Sequence, residues 1–506
     1  MANLTSRRSL LAASVGLASG ASAATTPPPN IVIILADDLG YGDIGAYNPD
    51  SRIPTPNVDG LAREGVRFTD AHTPCAVCSP TRYGLLTGRY PWRSELKSRV
   101  LWPWDKPLIE KERLTLPAML RTRGYHTACI GKWHLGWDWP TTDGSKVNSL
   151  VGIGDPQREI RNEFAKKVRF DQPIAEGPLT RGFDSYYGVD LPNFPPYAFI
   201  ENDRLLTEPS QQKPDSMFGW PGAMTPGWRL ENVLPALTRR AVAHIENRGA
   251  RQSPYFLYLP LTAPHTPIAP DDPFLGKSRA GRYGDFVYQV DWSVGQVMDA
   301  IRRSPAAANT LVIFTSDNGP ENLTYPVLKE FDHASAGSLR GAKRMLWEGG
   351  HRVPFLAWGA GVPSGKVEDE VVCLTDLMAT AANMVGYRLP PGAAEDSYDI
   401  GGALFGKPRA APIREATVHH SLSNEYALRQ GDWVYIESND SWSAAEPDWW
   451  RARRSLAKPE HGEALYRLTD DLGETKNLVA QQPERVARMR ALLMKYKRED
   501  RSVPAR

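Results

Sequence analysis

Cys78-Ser79-Pro80-Thr81-Arg82, inside AHTPCAVCSPTRYGLLTGRY, is the stretch around which the chain is organised. A cysteine followed at fixed distance by proline and arginine, then by an apolar run to Thr87-Gly88-Arg89, predicts Cys78 at the mouth of a short helix. Backbone N–H groups and the positive helix end would face it, which suits an anion. Arg82, one turn on, adds a permanent planar cation. A buried cysteine at an ordinary loop–helix junction is the competing reading of five residues alone. Cys75 and Cys78 also have redox or half-zinc spacing, but no second Cys/His pair stands at zinc-finger distance, and the following proline and arginine fit anion chemistry better.

Two further pairs carry hard oxygen donors, Asp37-Asp38 and Asp317-Asn318. Brought together, these four side chains would form a cage for Ca2+, with Mg2+ as the second candidate; acidic residues after strands also cap helices. Lys132 and His134 are two apart and would share one face of an extended segment, both aimed at one bound anion. His265 sits between two prolines that fix its backbone direction. Lys343 lies in a glycine-rich loop that can bring a cation close to a ligand. Each of these alone is equally at home as a solvated lysine, a satisfied core histidine or a structural turn.

The elements that must position these groups alternate. Asn30–Ala36 is a continuous apolar, β-branched run, as in a strand buried on both faces of a parallel sheet, and it delivers Asp37-Asp38. Thr55-Pro56-Asn57 has N-cap and N1 character for a short helix stopped by Gly65. A helix over Thr115–Arg123 and a strand over Tyr125–Ile130 lead to GKWHLG; the strand Tyr255–Leu259 leads to APHTP; the strand Thr310–Phe314 leads to SDNG. Val287, Val290, Val294, Val297 and Ile301 recur at helical spacing, Val353–Trp358 is a further strand, and Asp376–Met384 is a helix closed by Gly386. The fold class expected is α/β: a large mixed, mainly parallel sheet sandwiched by helices. From about Pro412 short strand-like runs at Ala416–His420, Tyr426–Gln430, Trp433–Ile436 and Ala464–Leu468 precede a helix over Pro483–Lys497, which predicts a smaller antiparallel sheet with a C-terminal helix. Residues 24–411 and 412–506 are the expected units. The Pro-rich, aromatic stretch Trp137–Arg229 reads as inserted surface loops.

The chain has 506 residues, 41% hydrophobic and 23% charged, enough for one large core and a smaller appendage. A formal charge of +2 makes no broad basic field, so nucleic acid is not an expected partner. Residues 1–23 hold Arg7-Arg8, a short apolar run and Ala21-Ser22-Ala23, the pattern of a twin-arginine export signal. No stretch reaches the apolar length of a membrane span. The expected location is exported, periplasmic or extracellular, and four cysteines in such a length do not make a disulfide scaffold.

In order along the chain, ADDLGYGD, CSPTRYGLLTGRY, GKWHLG, APHTP, SDNG and LRGAKRMLWEGGHRVP resemble the motifs of the formylglycine-dependent sulfatases, members of the alkaline phosphatase superfamily, from about Asn30 to Gly386. The best-matched relatives include arylsulfatase-like enzymes acting on hexosamine sulfates. Ala342-Lys343-Arg344 departs from the Gly-Lys-Gly of many relatives. The resemblance implies that a maturation enzyme oxidises Cys78 to formylglycine, whose hydrate attacks sulfur with one hydroxyl and expels sulfate with the other. It implies that Asp37, Asp38, Asp317 and Asn318 bind a calcium ion touching residue 78 and the substrate sulfate. Arg82 would support the formylglycine, Lys132 and Lys343 would hold the anion, His134 would assist collapse of the hemiacetal sulfate, and His265 or Lys343 would face the leaving oxygen. Aromatics at Trp102-Pro-Trp104, Trp137-Asp-Trp139 and Tyr186-Tyr187 suggest either a rim on which a sugar stacks, hence a hexose or hexosamine sulfate, or rings that pack these loops onto the core. The rival readings are a phosphate or phosphonate ester hydrolase of the same fold, and a non-catalytic binder of sulfated glycans.

Overall fold

The structure, a computed structural model, describes residues 27–251, 253–438, 446–456 and 462–504. The expected export signal therefore lies outside the described residues. Among these residues, ten strands form the main sheet, in the order Lys366–Glu368, Val66–Phe68, Phe355–Gly359, Thr310–Ser316, Asn30–Asp37, Tyr255–Pro264, His126–Lys132, Ser185–Val189, Ile200–Glu201 and Arg204–Leu205. The middle five, from Thr310–Ser316 to Ser185–Val189, run parallel. Antiparallel pairings begin on either side of them.

Asn30–Asp37 is the central strand, and all eight of its residues are buried. Its side chains alternate between two cores. Ile31, Ile33 and Leu35 pack with Tyr83, Leu86, Met119 and Met378 on one face. Val32, Ile34 and Ala36 pack with Leu237, Val290, Val294 and Ile301 on the other. An apolar run without polar alternation is what burial on both faces demands. Helices Cys78–Thr87, Leu116–Thr122 and Leu377–Met384 cover the first face, and Pro56–Glu64, Val233–Gly249 and Gly281–Arg303 the second.

Caps differ in how they are made. Thr115 caps its helix as its type predicts, accepting from the Ala118 N–H. Thr55 instead donates to Asp59 and makes no cap; Asp291, from a distant helix, accepts from the Asn57 and Val58 N–H groups.

Trp137–Arg229 is not a set of surface loops, because it supplies three strands of the main sheet. Nor do the candidate rim aromatics all form a rim: Trp104, Trp137, Trp139 and Tyr186 are core residues. Large rings at an irregular stretch satisfy burial better than exposure, and only neighbouring strands decide which. Trp102 and Tyr187 are partly exposed; Trp102 lies against Phe194 and Trp220.

The C-terminal sheet, Thr417–His420, Tyr426–Gln430, Trp433–Ile436 and Ala464–Arg467, is antiparallel throughout. The helix Pro483–Arg498 covers one face through Val486, Met489, Leu493 and Tyr496. The other face packs Ala427, Val434, Ile436 and Tyr466 on Met345, Leu346 and Trp347, so this sheet buttresses the loop that carries Lys343. Its edge residue His420 also accepts from the Ala76 N–H, two residues before Cys78.

Candidate active site

Three of four consecutive parallel strands, with Tyr255–Pro264 lying between the central strand and His126–Lys132, each hand over part of one buried cluster. The central strand delivers Asp37 and Asp38, Thr310–Ser316 delivers Asp317 and Asn318, and His126–Lys132 ends on Lys132 itself. Asp38 holds a left-handed backbone, φ 66°, which turns the chain sharply at the sheet edge. Its N–H donates to Asp317 Oδ1 at 3.2 Å, and Ser316 Oγ accepts from the Leu39 N–H at 3.0 Å, tying the two strand exits together.

Cys78 opens the ten-residue helix Cys78–Thr87, buried along its whole length and stopped by Gly88 in the left-handed region, φ 65°. Its thiol lies 3.8 Å from Asp37 Oδ1 and 4.0 Å from Asp38 Oδ1. Burial pushes that thiol up to about 12 despite Lys132 and Lys343, so the unmodified side chain is a protonated, weak nucleophile at neutral pH. All four cysteines are free.

Arg82 lies on the inner side of this helix and donates to Asp317 Oδ2 from Nη2 at 2.7 Å and Nε at 3.1 Å, and to the Lys132 carbonyl from Nη1 at 3.2 Å. Lys132 Nζ lies 2.7 and 2.9 Å from the two oxygens of Asp37. Lys343 Nζ reaches Asp38 at 2.7 Å. Three carboxylates and three cations are thus paired out of water. Burial alone would raise Asp37, but Lys132, His265, Arg82 and Lys343 outweigh it and hold its carboxyl well below the usual range. Burial lowers Lys343 but Asp38 more than reverses this, so it keeps its proton throughout the working pH range. Asp317 goes the other way, raised to about 6 by burial and by Asp37 beside it.

Asn318 donates from Nδ2 to Asp38 Oδ1 at 2.8 Å, while its Oδ1, fully buried, has no partner in the protein. An orphaned amide oxygen beside three carboxylates is the donor set a hard divalent cation fills. Ligand atoms of Asp37, Asp38, Cys78 and His265 lie within 4.8 Å of one another. The residues therefore fit Ca2+. With the carboxylates already matched by cations, such an ion would leave the site with an excess of positive charge, as an anionic substrate requires.

Lys132 and His134 do not share a face as an extended pair. The strand stops at Lys132, and His134 turns away at φ 51°, its N–H held by Asp190 Oδ1 at 3.1 Å. Its Nε2 lies 3.0 Å from the Leu101 carbonyl, which can only accept, so Nε2 carries the proton and the buried, unpartnered Nδ1 is a free lone pair. Burial, with Lys132 nearby, keeps this ring neutral. His265 donates from Nδ1 to the Thr266 carbonyl and brings Nε2 to 3.8 Å from Asp38 Oδ2. Burial and the Lys343 ammonium lower it to about 4.

Two residues of this site carry no signal that the spacing argument could use. Asp190 accepts from the His134 N–H and from Trp137 Nε1 at 3.0 Å. Glu321, 3.7 Å from Lys343, pairs with Arg344 and so anchors the residue that departs from the family pattern. Single acidic residues in loops announce nothing; the SDNG–Pro–Glu order was the available hint for Glu321.

The family model described as Sulfatase matches residues 29–387. The chain is 32% identical over 493 residues to an N-acetylgalactosamine-6-O-sulfatase of Bacteroides thetaiotaomicron, covering 92% of each. It is 32% identical over 386 residues to the N-acetylgalactosamine-6-sulfatase of Canis lupus familiaris, with 74% of this chain and 65% of that one aligned, so it spans about two thirds of the mammalian relative. Among solved structures, one described under the metabolism of multiple glycosaminoglycans by Bacteroides thetaiotaomicron superposes with a TM-score of 0.76 at 29% identity, covering 94% of this chain and all of the other.

Proposed function

The chain belongs to the sulfatase family, and from that premise we propose that it hydrolyses a sulfate ester of a hexosamine-containing saccharide at the cluster around residue 78. The observation that carries the reading is the meeting of three carboxylates, an orphaned amide oxygen and three buried cations about one side chain at the strand ends. The 6-sulfated N-acetylgalactosamine named for two relatives is the first substrate to try.

Asp37, Asp38, Asp317 and Asn318 would hold Ca2+, which supplies charge neutralisation to the sulfuryl oxygens. Formylglycine at position 78 supplies, as its hydrate, the attacking oxygen that the protonated thiol lacks. Arg82, locked on Asp317, fixes the carboxylate behind residue 78. Lys132 and Lys343 face the anion from two sides. His134, with Nε2–H on the Leu101 carbonyl, offers Nδ1 as the base that takes a hydroxyl proton from residue 78. Two groups are candidates to protonate the leaving alkoxide. Lys343 is an ammonium in the free enzyme, whereas His265 is neutral there and gains a proton only with an anion in the site.

Cys78 is 2% exposed, so the maturation enzyme must act before the fold closes over it. With the export signature read in residues 1–23, that burial supports oxidation in the cytoplasm followed by export of the finished enzyme to the periplasm or beyond. No described helix is long and apolar enough to cross a membrane. Residues 24–411 form the catalytic unit and 412–506 the subdomain that supports the Cys78 and Lys343 loops.

The test uses full-length protein produced with a formylglycine-generating enzyme. Peptide mass spectrometry across Cys78 should show sulfur replaced by oxygen, and desulfation of defined saccharides should release sulfate from a 6-sulfated hexosamine. Faster turnover of 4-nitrophenyl phosphate than of the matched sulfate would give the phosphatase reading; binding without turnover by the oxidised protein would give the non-catalytic one.

A further inference from the structure

Outside the Cys78 cluster, three histidines meet in the seam between the main domain and the C-terminal sheet. His72 ends the two-residue strand Ala71–His72 that leads to Cys78, His351 closes the short helix Glu348–His351 after the Lys343 loop, and His419 lies on the edge strand Thr417–His420. All are buried, at 0%, 0% and 1% exposure.

Each ring has one nitrogen committed to a group that can only accept. His72 Nε2 lies 2.6 Å from Asp70 Oδ1, and Asp70 is held ionised against its burial by Arg352 and Arg429. His351 Nε2 lies 2.9 Å from the Leu346 carbonyl, and His419 Nδ1 2.8 Å from the Thr73 carbonyl. Those three nitrogens therefore carry the protons, and in neutral rings His72 Nδ1, His351 Nδ1 and His419 Nε2 are bare. Burial keeps His351 and His419 neutral, lowering the first to about 4. The two bare Nδ1 atoms stand 3.1 Å apart, so lone pair faces lone pair unless a cation lies between them.

A shared proton would satisfy that pair alone. It would leave His419 Nε2 and Glu348 Oε1, both buried, without partners. One nitrogen from each of the three rings lies within 4.8 Å of the others, and Asp70, His72 and Glu348 also offer ligand atoms within that span. Two imidazoles on one tetrahedral zinc, at about 2.0–2.1 Å each, have nitrogens roughly 3.3 Å apart. Histidines that donate their second N–H to a carboxylate or carbonyl have the outer support of metal-bound rings.

We propose that His72, His351 and His419, with Glu348 Oε1 as fourth donor, form a second metal site, for Zn2+. Three imidazoles and one carboxylate are a borderline donor set that suits zinc over calcium. The rings of His351 and His419 stack, 4.1 Å apart and 6° from parallel, so the ion seats first between His72 and His351, and His419 joins by rotating its unpartnered edge toward it. Glu348 Oε2 stays with Arg352 at 3.0 Å and Arg429 at 3.4 Å, which leaves Oε1 for the metal. The ion would staple the segment before Cys78, the segment after Lys343 and the C-terminal sheet at one point.

The experiment takes full-length protein stripped with a chelator, restored with excess Ca2+, given a small excess of Zn2+ and gel-filtered, with zinc measured by mass spectrometry. About one zinc per chain is expected in the parent and in Cys78→Ala, and at least ~10-fold weaker retention in His419→Gln. X-ray absorption at the zinc edge of the parent, which needs no variant, should show imidazole scattering around a shell at about 2.0–2.1 Å. Substoichiometric zinc in the folded parent, retention unchanged in His419→Gln, or an edge spectrum without imidazole would overturn the assignment. None of these readouts depends on sulfatase turnover.

Discussion

Two buried polar clusters flank the same short segment, residues 70–82, and they are built on opposite plans. The Cys78 cluster sits where parallel strands end, and each strand contributes a contiguous string: Asp37-Asp38, Lys132, Asp317-Asn318. The histidine cluster sits in a seam held by isolated bridges, His72 with Arg352 and Cys75 with His420. At strand exits the sheet supplies the convergence, so the loop need carry only the chemical groups. In the seam nothing local supplies convergence; it follows from how two sheets dock. The first plan permits catalysis on rigid supports, and the second makes a joint.

If that division holds, changing one cluster should alter turnover and changing the other should alter stability. The largest effect is expected from Cys78→Ala, which should lower turnover by on the order of 10⁴-fold or more, with the unfolding temperature measured in Ca2+ unchanged. Retained activity would remove residue 78 from the chemistry, and a large loss of stability would make it a structural residue after all. Arg429→Ala is the counterpart. Arg429 holds Asp70 at 2.8 Å and Glu348 at 3.4 Å, both buried, and removing it leaves both carboxylates to Arg352 alone, 3.6 and 3.0 Å away, at a cost of ~1–3 kcal/mol. Thermal unfolding should move down by several degrees while the folded protein keeps its turnover. Equal losses in both measurements would erase the distinction between the clusters.

The same contrast explains what the sequence reveals. Strand runs such as Tyr426–Gln430 and Trp433–Ile436 have the bounds their residue types predict, because β-branched and aromatic runs between turns leave little choice. Tyr255–Leu259 extends to Pro264, since Asn30–Asp37 continues to pair beside it past the apolar run. The candidate catalytic and metal-binding residues are legible because they fall in short ordered motifs. The turn at His134 is not, because a positive φ at a non-glycine residue is imposed from outside, here by Asp190. The burial of Trp104, Trp137 and Trp139 and the meeting of His72, His351 and His419 are tertiary facts, set by residues far away in the chain.

Within the Cys78 cluster, His265→Ala sharpens the division between groups that bind and groups that move protons. If His265 protonates the leaving alkoxide, a saccharide sulfate should slow by about 10²–10⁴-fold, while 4-nitrophenyl sulfate, whose leaving group needs no proton, should be far less affected. Equal slowing of both would assign the proton to Lys343 and leave His265 a binding role beside Asp38.

The smallest effect is expected at Asp190, which belongs to the site by position and to the scaffold by work. Burial raises its carboxyl to about 6, against the hydrogen bonds from Trp137 and His134 that favour the charged form. The folded chain thus holds this proton more tightly than the unfolded chain, whose carboxyl titrates near the ordinary value. Stability contributed here is present below about pH 4 and is lost as pH rises through about 6. Asp190→Asn keeps a carbonyl oxygen for both donors and carries no charge, so it should raise stability by about 1 kcal/mol at pH 8, a value discounted for partial exposure, and make no difference at pH 4. Measured unfolding at the two pH values checks the sign. A variant less stable at pH 8 would mean that the carboxylate's stronger hydrogen bonds to the His134 and Trp137 N–H groups outweigh its burial, and that the turn placing His134 is held by charge.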